Sequence, residues 1–298
     1  IAELAAIGQP TVALVNNAQR EHQEFMGTVE AVARENGSVL GFLPQDGVAI
    51  FPAGDEYTPL WTELAAGRSC LMFGAQADGA EVFASDVRWE QGAWSLQLHT
   101  PQGSAAVQLH IAGRHNVLNA LAAAACAHAA GVPLAAIAQG LTQFEPVTGR
   151  SRALAVQLGD KNITVVDDTY NANPDSVAAA IAVLAELPAP RLLVLGDMGE
   201  VGDNGPQFHA EAGALAQHAG IEYLYTLGAQ SAFAATAFGG GAQHFESMAA
   251  LQKAACEVLP KLGAVLVKGS RFMKMEQVVQ GVEACANKEQ GNCGDAAC

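Results

Sequence analysis

Four short apolar runs occupy the second half of the chain: ITVVD (163–167), LLVLG (192–196), EYLYTL (222–227) and AVLVK (264–268). Between them lie segments of helical spacing at 175–187, 206–219 and 247–259, and a last one follows at 271–285. A run too short for a helix and apolar on both sides is a strand covered on both faces. Strands that alternate with helices build a parallel sheet between helical layers. In such open sheets ligands gather at the carboxyl ends of the strands, so the residues just past each run are the place to look for chemistry.

Past the first run the chain reads VVDDTYNANPDS (165–176). Asn173 is a good N-cap, Pro174 suits the first helical position, and Asp175 favours the positive end of a helix. Residues 167–173 therefore form a loop at a strand's carboxyl end, with Asp167 and Asp168 at its start. A carboxylate there can accept from ribose hydroxyls or from loop amides, and spacing alone leaves both open. Past the second run, LVLGDMGEVGDNGPQFHAE (193–211) carries Gly196, Gly199, Gly202 and Gly205, each three apart. That is not the GxGxxG spacing of a dinucleotide loop, and Asp197, Glu200 and Asp203 would repel a pyrophosphate. A loop with three acids suits an amine or solvent, and Asp197 is a candidate substrate contact. Past the last run, VLVKGSRFMKME (265–276) sets Lys268, Ser270 and Arg271 at a helix start. Cations are unfavourable there unless an anion sits between them, which points to a carboxylate or phosphate site.

The first half mixes element types. Strands are expected at 11–17, 47–51 and 69–74, helices at 20–37 and 59–66, and an antiparallel patch over 80–111 with EQG and PQGS as turns. Two helices follow, at 115–130 and 133–144. In GRHNVLNALAAAA (113–125), Asn116 and Asn119 share a helix face. Their amides match an adenine edge, or serve as a cap and a core bond. The stretch FEPVTGRSR (144–152) breaks the pattern, so a domain boundary is placed near Val147, with Arg150 on the linker. The expected organisation is a domain over 1–147, a second over 148–285, and a disordered tail over 286–298.

Half of the residues are hydrophobic and 15% are charged, which excludes disorder for most of the length. A net charge of −15 makes nucleic acid and anionic membrane poor partners, while leaving room for a local cationic pocket. No apolar run is long enough to cross a bilayer, and no signal peptide is visible. Ile1 reads as mid-domain, so we expect sequence upstream of it. The six cysteines form no CxxC pair. Reduced thiols in a cytoplasmic protein are expected rather than a disulfide or zinc site, and no metal-ligand spacing stands out. No lysine precedes Lys161, and no GxxxxGK[ST] phosphate loop occurs anywhere.

The segments ALVNNAQREHQEF, GRHNVLNALAA, PVTGR, VVDDTYNANPDS, LVLGDMGEVG and LVKGSRFMKME, in this order, resemble the Mur ligases, and among them the MurF type. The resemblance covers the chain from Ile1 to about Cys285. It implies the later part of a P-loop-type central domain, a mixed sheet with an antiparallel patch, followed by a Rossmann-like C-terminal domain. The implied reaction is ATP-dependent addition of D-alanyl-D-alanine to UDP-N-acetylmuramoyl-tripeptide through an acyl phosphate, in peptidoglycan precursor synthesis. The implied cofactors are ATP and Mg2+, with the P-loop and the magnesium ligands expected upstream, so that this chain alone is expected to be inactive and monomeric. By the same resemblance Asn116 and Asn119 contact adenine, Arg150 reaches the γ-phosphate, and Asp168 holds the ribose. Lys268 and Ser270 face the acyl phosphate or the incoming substrate. One departure is Asn36-Gly37, where many members carry a lysine that is carbamylated in use. The alternatives are a sibling Mur or folylpolyglutamate-type ligase, and a nucleotide-binding module without chemistry.

Overall fold

Residues 1–90, 92–159 and 161–294 are described by a computed structural model. The chain divides into two units, Ile1–Glu145 and Pro146–Cys298, each with its own sheet and core. The first unit holds six strands in sequential order: β1 (Val12–Leu14), β2 (Val48–Pro52), β3 (Ser69–Gly74), β4 (Val82–Glu90), β5 (Ala93–Thr100) and β6 (Gly103–Leu109). β1 to β4 pair in parallel and β4 to β6 antiparallel, which is the mixed sheet expected. The EQG turn includes Gln91, which lies outside the described residues.

Helices cover this sheet because its strands are apolar where they face them. Val82, Ala84, Trp94, Leu96 and Leu98 pack with Val117, Leu121 and Ala125 of α5 (His115–Ala129) and with Ile137 and Ala138 of α6 (Leu134–Thr142). α1 (Ala2–Gly8) opens the unit. A second cluster joins Ala13, Ala49 and Phe51 to Ala33 of α3 (Val29–Gly37) and Trp61 of α4 (Thr58–Leu64), and the Trp61 indole donates to the Ala33 carbonyl at 3.0 Å. The single helix expected over 20–37 is two, α2 (Gln23–Met26) and α3. Gly27 breaks the chain at φ 73°, and Thr28 restarts it by accepting the Ala31 amide.

The second unit is a six-stranded sheet in the order β11-β10-β9-β12-β8-β7. In chain order it runs β7 (Arg152–Leu158), β8 (Lys161–Asp168), α7 (Pro174–Ala185), β9 (Arg191–Gly196), α8 (Gly205–His218), β10 (Tyr223–Leu227), α9 (Ser231–Phe238), β11 (Ala242–Phe245), α10 (Met248–Val258), β12 (Ala264–Lys268) and α11 (Glu276–Gly294). Every pairing is parallel except that of the edge strand β7 with β8. β9, β10 and β11 step outward one way, whereas β12 returns to lie between β9 and β8. The strand order therefore reverses beside β9, which is where such sheets open a crevice at their carboxyl edge.

Two expectations are corrected here. α11 continues to Gly294, so 286–294 is helix rather than disordered tail, and residues 295–298 lie outside the described residues. Val278, Val279, Val282 and Ala286 line its buried face. Cys256 and Cys285 form a disulfide between α10 and α11, where reduced thiols were expected. Gln252 and Cys256 on one helix meet Gln277, Gly281 and Cys285 on the other, all spaced four apart, with Gln252 donating to the Gln277 carbonyl at 2.7 Å. Packing along that seam brings the two sulfurs together.

Candidate functional site

Asp168, Gly196 and Lys268 end three adjacent strands, and the register sets Lys268 directly opposite Asp168 on one side and Leu195 on the other. Lys268 is 3% exposed. A buried ammonium needs partners, and it donates to Asp168 Oδ2 at 2.6 Å and to the Asn171 carbonyl at 2.9 Å. The other Asp168 oxygen accepts the Ser151 amide at 3.0 Å and the Ser151 hydroxyl at 3.3 Å. Asp167, also buried, accepts the Gly149 amide at 2.9 Å on one oxygen, and the Thr169 amide and hydroxyl on the other. The two carboxylates therefore grip alternate amides of the segment Gly149-Arg150-Ser151. Gly149 must be a glycine: its φ is +80°, and a Cβ there would lie 3.2 Å from the Tyr170 nitrogen.

Between those two anchors Arg150 projects outward. It is exposed, and its guanidinium lies 4.0 Å above the centroid of the Tyr170 ring. Tyr170 is 48% exposed, and its amide donates to the Gly149 carbonyl at 3.0 Å. Arg150 is thus a cation held at the carboxyl edge of the sheet by a backbone that neighbouring strand ends fix in place.

Ser270, expected beside the acyl phosphate or the incoming substrate, is 2% exposed. Its hydroxyl accepts the Gly199 amide at 2.6 Å and donates to the Ala172 carbonyl at 3.2 Å, and its amide donates to the Asp197 carbonyl at 3.0 Å. It ties together the loops that follow β8, β9 and β12. Lys268, expected in the same role, is buried and paired with Asp168 and the Asn171 carbonyl. Arg271 is exposed and pairs with Glu276 Oε1 at 3.1 Å.

Asp197, expected to meet an ammonium group, is turned instead to the start of α9. Its Oδ1 accepts the amides of Ser231 at 2.7 Å and Gln230 at 3.1 Å, which caps a helix whose own Gln230 provides no side-chain cap. Gly228 makes room for it, since a Cβ there would lie 2.4 Å from the Asp197 carboxyl carbon. The next residue, Met198, donates its amide to Nε2 of the fully buried His209 at 2.9 Å, and His209 Nδ1 meets the Gly205 carbonyl at 2.7 Å. A carbonyl only accepts, so the imidazole is neutral with its proton on Nδ1. Burial pushes its pKa below the ordinary value, although the Gly205 carbonyl and the Asp197 charge pull the other way.

In the first unit, Asn116 donates to the Ala112 carbonyl at 2.7 Å, Asn119 donates to Asn116 Oδ1 at 2.9 Å, and Asn16 donates to Asn119 Oδ1 at 2.9 Å. Asn116 is buried and Asn119 exposed. The buried carbonyl therefore orients a chain of amides that runs through the exposed Asn119 to the half-buried Asn16. Asn36 donates to the Asn17 carbonyl and to Glu21 Oε1, both at 3.2 Å. Among the described residues no group of three or more His, Cys, Asp or Glu side chains is placed to hold a metal ion.

The sequence reading did not single out Ser151, Asn171, Tyr170, His209 or Asn16. Tyr170 carries a signal, being the one aromatic in a loop of small polar residues. The others depend on partners far away in sequence.

The Mur ligase middle domain matches residues 2–127, and the domain described as "Mur ligase, glutamate ligase domain" matches residues 149–271. The UDP-N-acetylmuramoyl-tripeptide–D-alanyl-D-alanine ligase of Escherichia coli strain K12 is 36% identical over 98% of this chain and 63% of its own length. The Haemophilus influenzae ligase of the same name is 33% identical over 92% and 60%. The chain thus spans about three fifths of the length of the curated relatives it matches. Among solved structures, MurF from Acinetobacter baumannii superposes with a TM-score of 0.84 at 32% identity, over 95% of this chain and 62% of that one. The Thermotoga maritima MurF–ADP complex reaches the same score at 23% identity, over 97% and 65%, a likeness of fold alone. Two consecutive domain matches, relatives aligned across nearly the whole chain and the two sheets described above agree with one another: the chain belongs to the Mur ligase family, of which it carries the middle and glutamate ligase domains.

Proposed function

We propose that this chain is the middle and C-terminal portion of an ATP-dependent ligase that joins D-alanyl-D-alanine to UDP-N-acetylmuramoyl-tripeptide in peptidoglycan precursor synthesis. The observation that carries the reading is the anchoring of Arg150 at the carboxyl edge by Asp167 and Asp168, in a chain 36% identical to a ligase of that name. The reaction activates the tripeptide carboxylate as an acyl phosphate, which the dipeptide amine then attacks through a tetrahedral intermediate. Both steps gather negative charge, and a cation already fixed in position stabilises such charge without reorganising as it forms. Arg150 supplies that cation. Asn116 and Asn119 recognise the adenine. Asp168, with both oxygens already bonded, acts mainly by holding the Arg150 segment, and a carboxylate retains acceptor capacity for a ribose hydroxyl. Lys268, Ser270 and His209 keep the loops in register. ATP is the phosphoryl donor, Mg2+ supplies charge neutralisation when bound, and the working protein is a cytoplasmic monomer.

The test compares the chain alone with a protein that extends it to the length of its relatives. Each is supplied with ATP, magnesium, the UDP-linked tripeptide and either D-alanyl-D-alanine or another amino acid. The extended protein is expected to form product only with D-alanyl-D-alanine, and the chain alone little or none. Product formed equally well with D-glutamate or diaminopimelate assigns the chain to a sibling ligase instead.

A further inference from the structure

We propose that Tyr170 is a positioning residue for Arg150, holding its guanidinium over the phenol ring in the place where it meets an anionic phosphate. This rests on the phosphate-binding role proposed for Arg150 above. An exposed arginine on a free loop samples many rotamers, and fixing it in one opposes binding. Here the backbone on either side is already tied, through Gly149 to Asp167 and through Ser151 to Asp168. The remaining freedom is the side chain's own, and the ring 4.0 Å away restricts it. The platform is itself fixed, because the Tyr170 amide donates to the Gly149 carbonyl. A Cβ on Gly149 would press on the Tyr170 Cβ at 3.3 Å, so the close approach of the two segments depends on that glycine. The contact is made to the face of the ring.

A cation held over an exposed aromatic ring gains enough to change its population by about two- to fivefold. The experiment is arginine side-chain NMR on this chain, in wild type, Tyr170→Phe and Tyr170→Leu, each titrated with inorganic tripolyphosphate. In wild type the Arg150 side-chain protons are expected upfield of the other arginines through the ring current, and tripolyphosphate shifts the Arg150 guanidinium resonance while those protons stay under the ring. Tyr170→Phe retains both behaviours. Tyr170→Leu loses the upfield displacement and needs about two- to fivefold more tripolyphosphate for the same response. An unchanged Arg150 resonance in Tyr170→Leu, or equal titration midpoints in wild type and Tyr170→Leu, overturns the role given to Tyr170. A wild-type Arg150 that is ring-shifted but indifferent to tripolyphosphate defeats the phosphate reading itself, and with it any positioning role, and that pattern is distinct from the other two.

Discussion

Lys268 and Asp168 show how burial sets the weight of an ion pair. Their side chains are 4% and 16% exposed, whereas the Arg271–Glu276 pair a few residues away is 65% and 27% exposed. Removing one partner of a buried pair leaves an uncompensated charge and costs about 3 kcal/mol or more, whereas an exposed pair contributes well under about 1 kcal/mol. Lys268→Met is therefore expected to lower the urea midpoint strongly and Arg271→Met hardly at all; equal effects would contradict the assignment of Lys268 to the frame of the site. His209 sets a pH dependence. Its native pKa lies below the ordinary 6.5 because of burial, so at pH below about 6.5 the unfolded chain binds the proton and the native chain does not. The stability that neutral His209 confers is present above that pH and is lost as pH falls toward the native pKa. His209→Gln should flatten this slope in denaturant unfolding between pH 7 and 5, and an unchanged slope would show that other groups set it. The positions of Asp167, Asp168 and Lys268 at strand ends were legible from the alternation of apolar runs. Their bonding was not, because their partners Gly149 and Ser151 lead into β7, whose letters RALAVQL are half exposed and follow a linker.

At the scale of elements, α9 and β11 went unread for related reasons. α9 has no cap of its own, and Asp197, more than thirty residues upstream, closes its amino end. β11 is four residues, AQHF, none of them buried. A local pattern cannot announce an element that its neighbours complete. The same holds for the disulfide. Cys256 and Cys285 are 29 residues apart in sequence and become neighbours only when α10 and α11 pack along their i, i+4 faces. Closing a loop of that length removes unfolded-chain freedom worth roughly 2–4 kcal/mol. A dithiol reductant, which takes the sulfurs to thiols, is expected to lower the thermal midpoint by several degrees, while Cys256→Ser loses the difference between reduced and unreduced samples. No shift on reduction, with both thiols open to alkylation beforehand, would show that the bond does not form in solution.

For the whole molecule, two separate cores and two sheets place the family's middle and glutamate ligase domains in one chain. The fold class was readable from the sequence because both halves obey their periodicity in long stretches. The site was readable only as a set of strand ends, since its working geometry lies in which loop each carboxylate, hydroxyl and amide holds. In that geometry Arg150 is an exposed cation at the carboxyl edge with anchored amides on either side, and the proposed phosphate role rests on it. The sharpest measurement is the turnover of Arg150→Ala in the protein extended to the length of its relatives, taken beside its thermal midpoint. The account predicts that amide formation falls by about a hundredfold or more, the scale of losing one preorganised charge-stabilising group, with the midpoint nearly unchanged. Turnover close to wild type would contradict it.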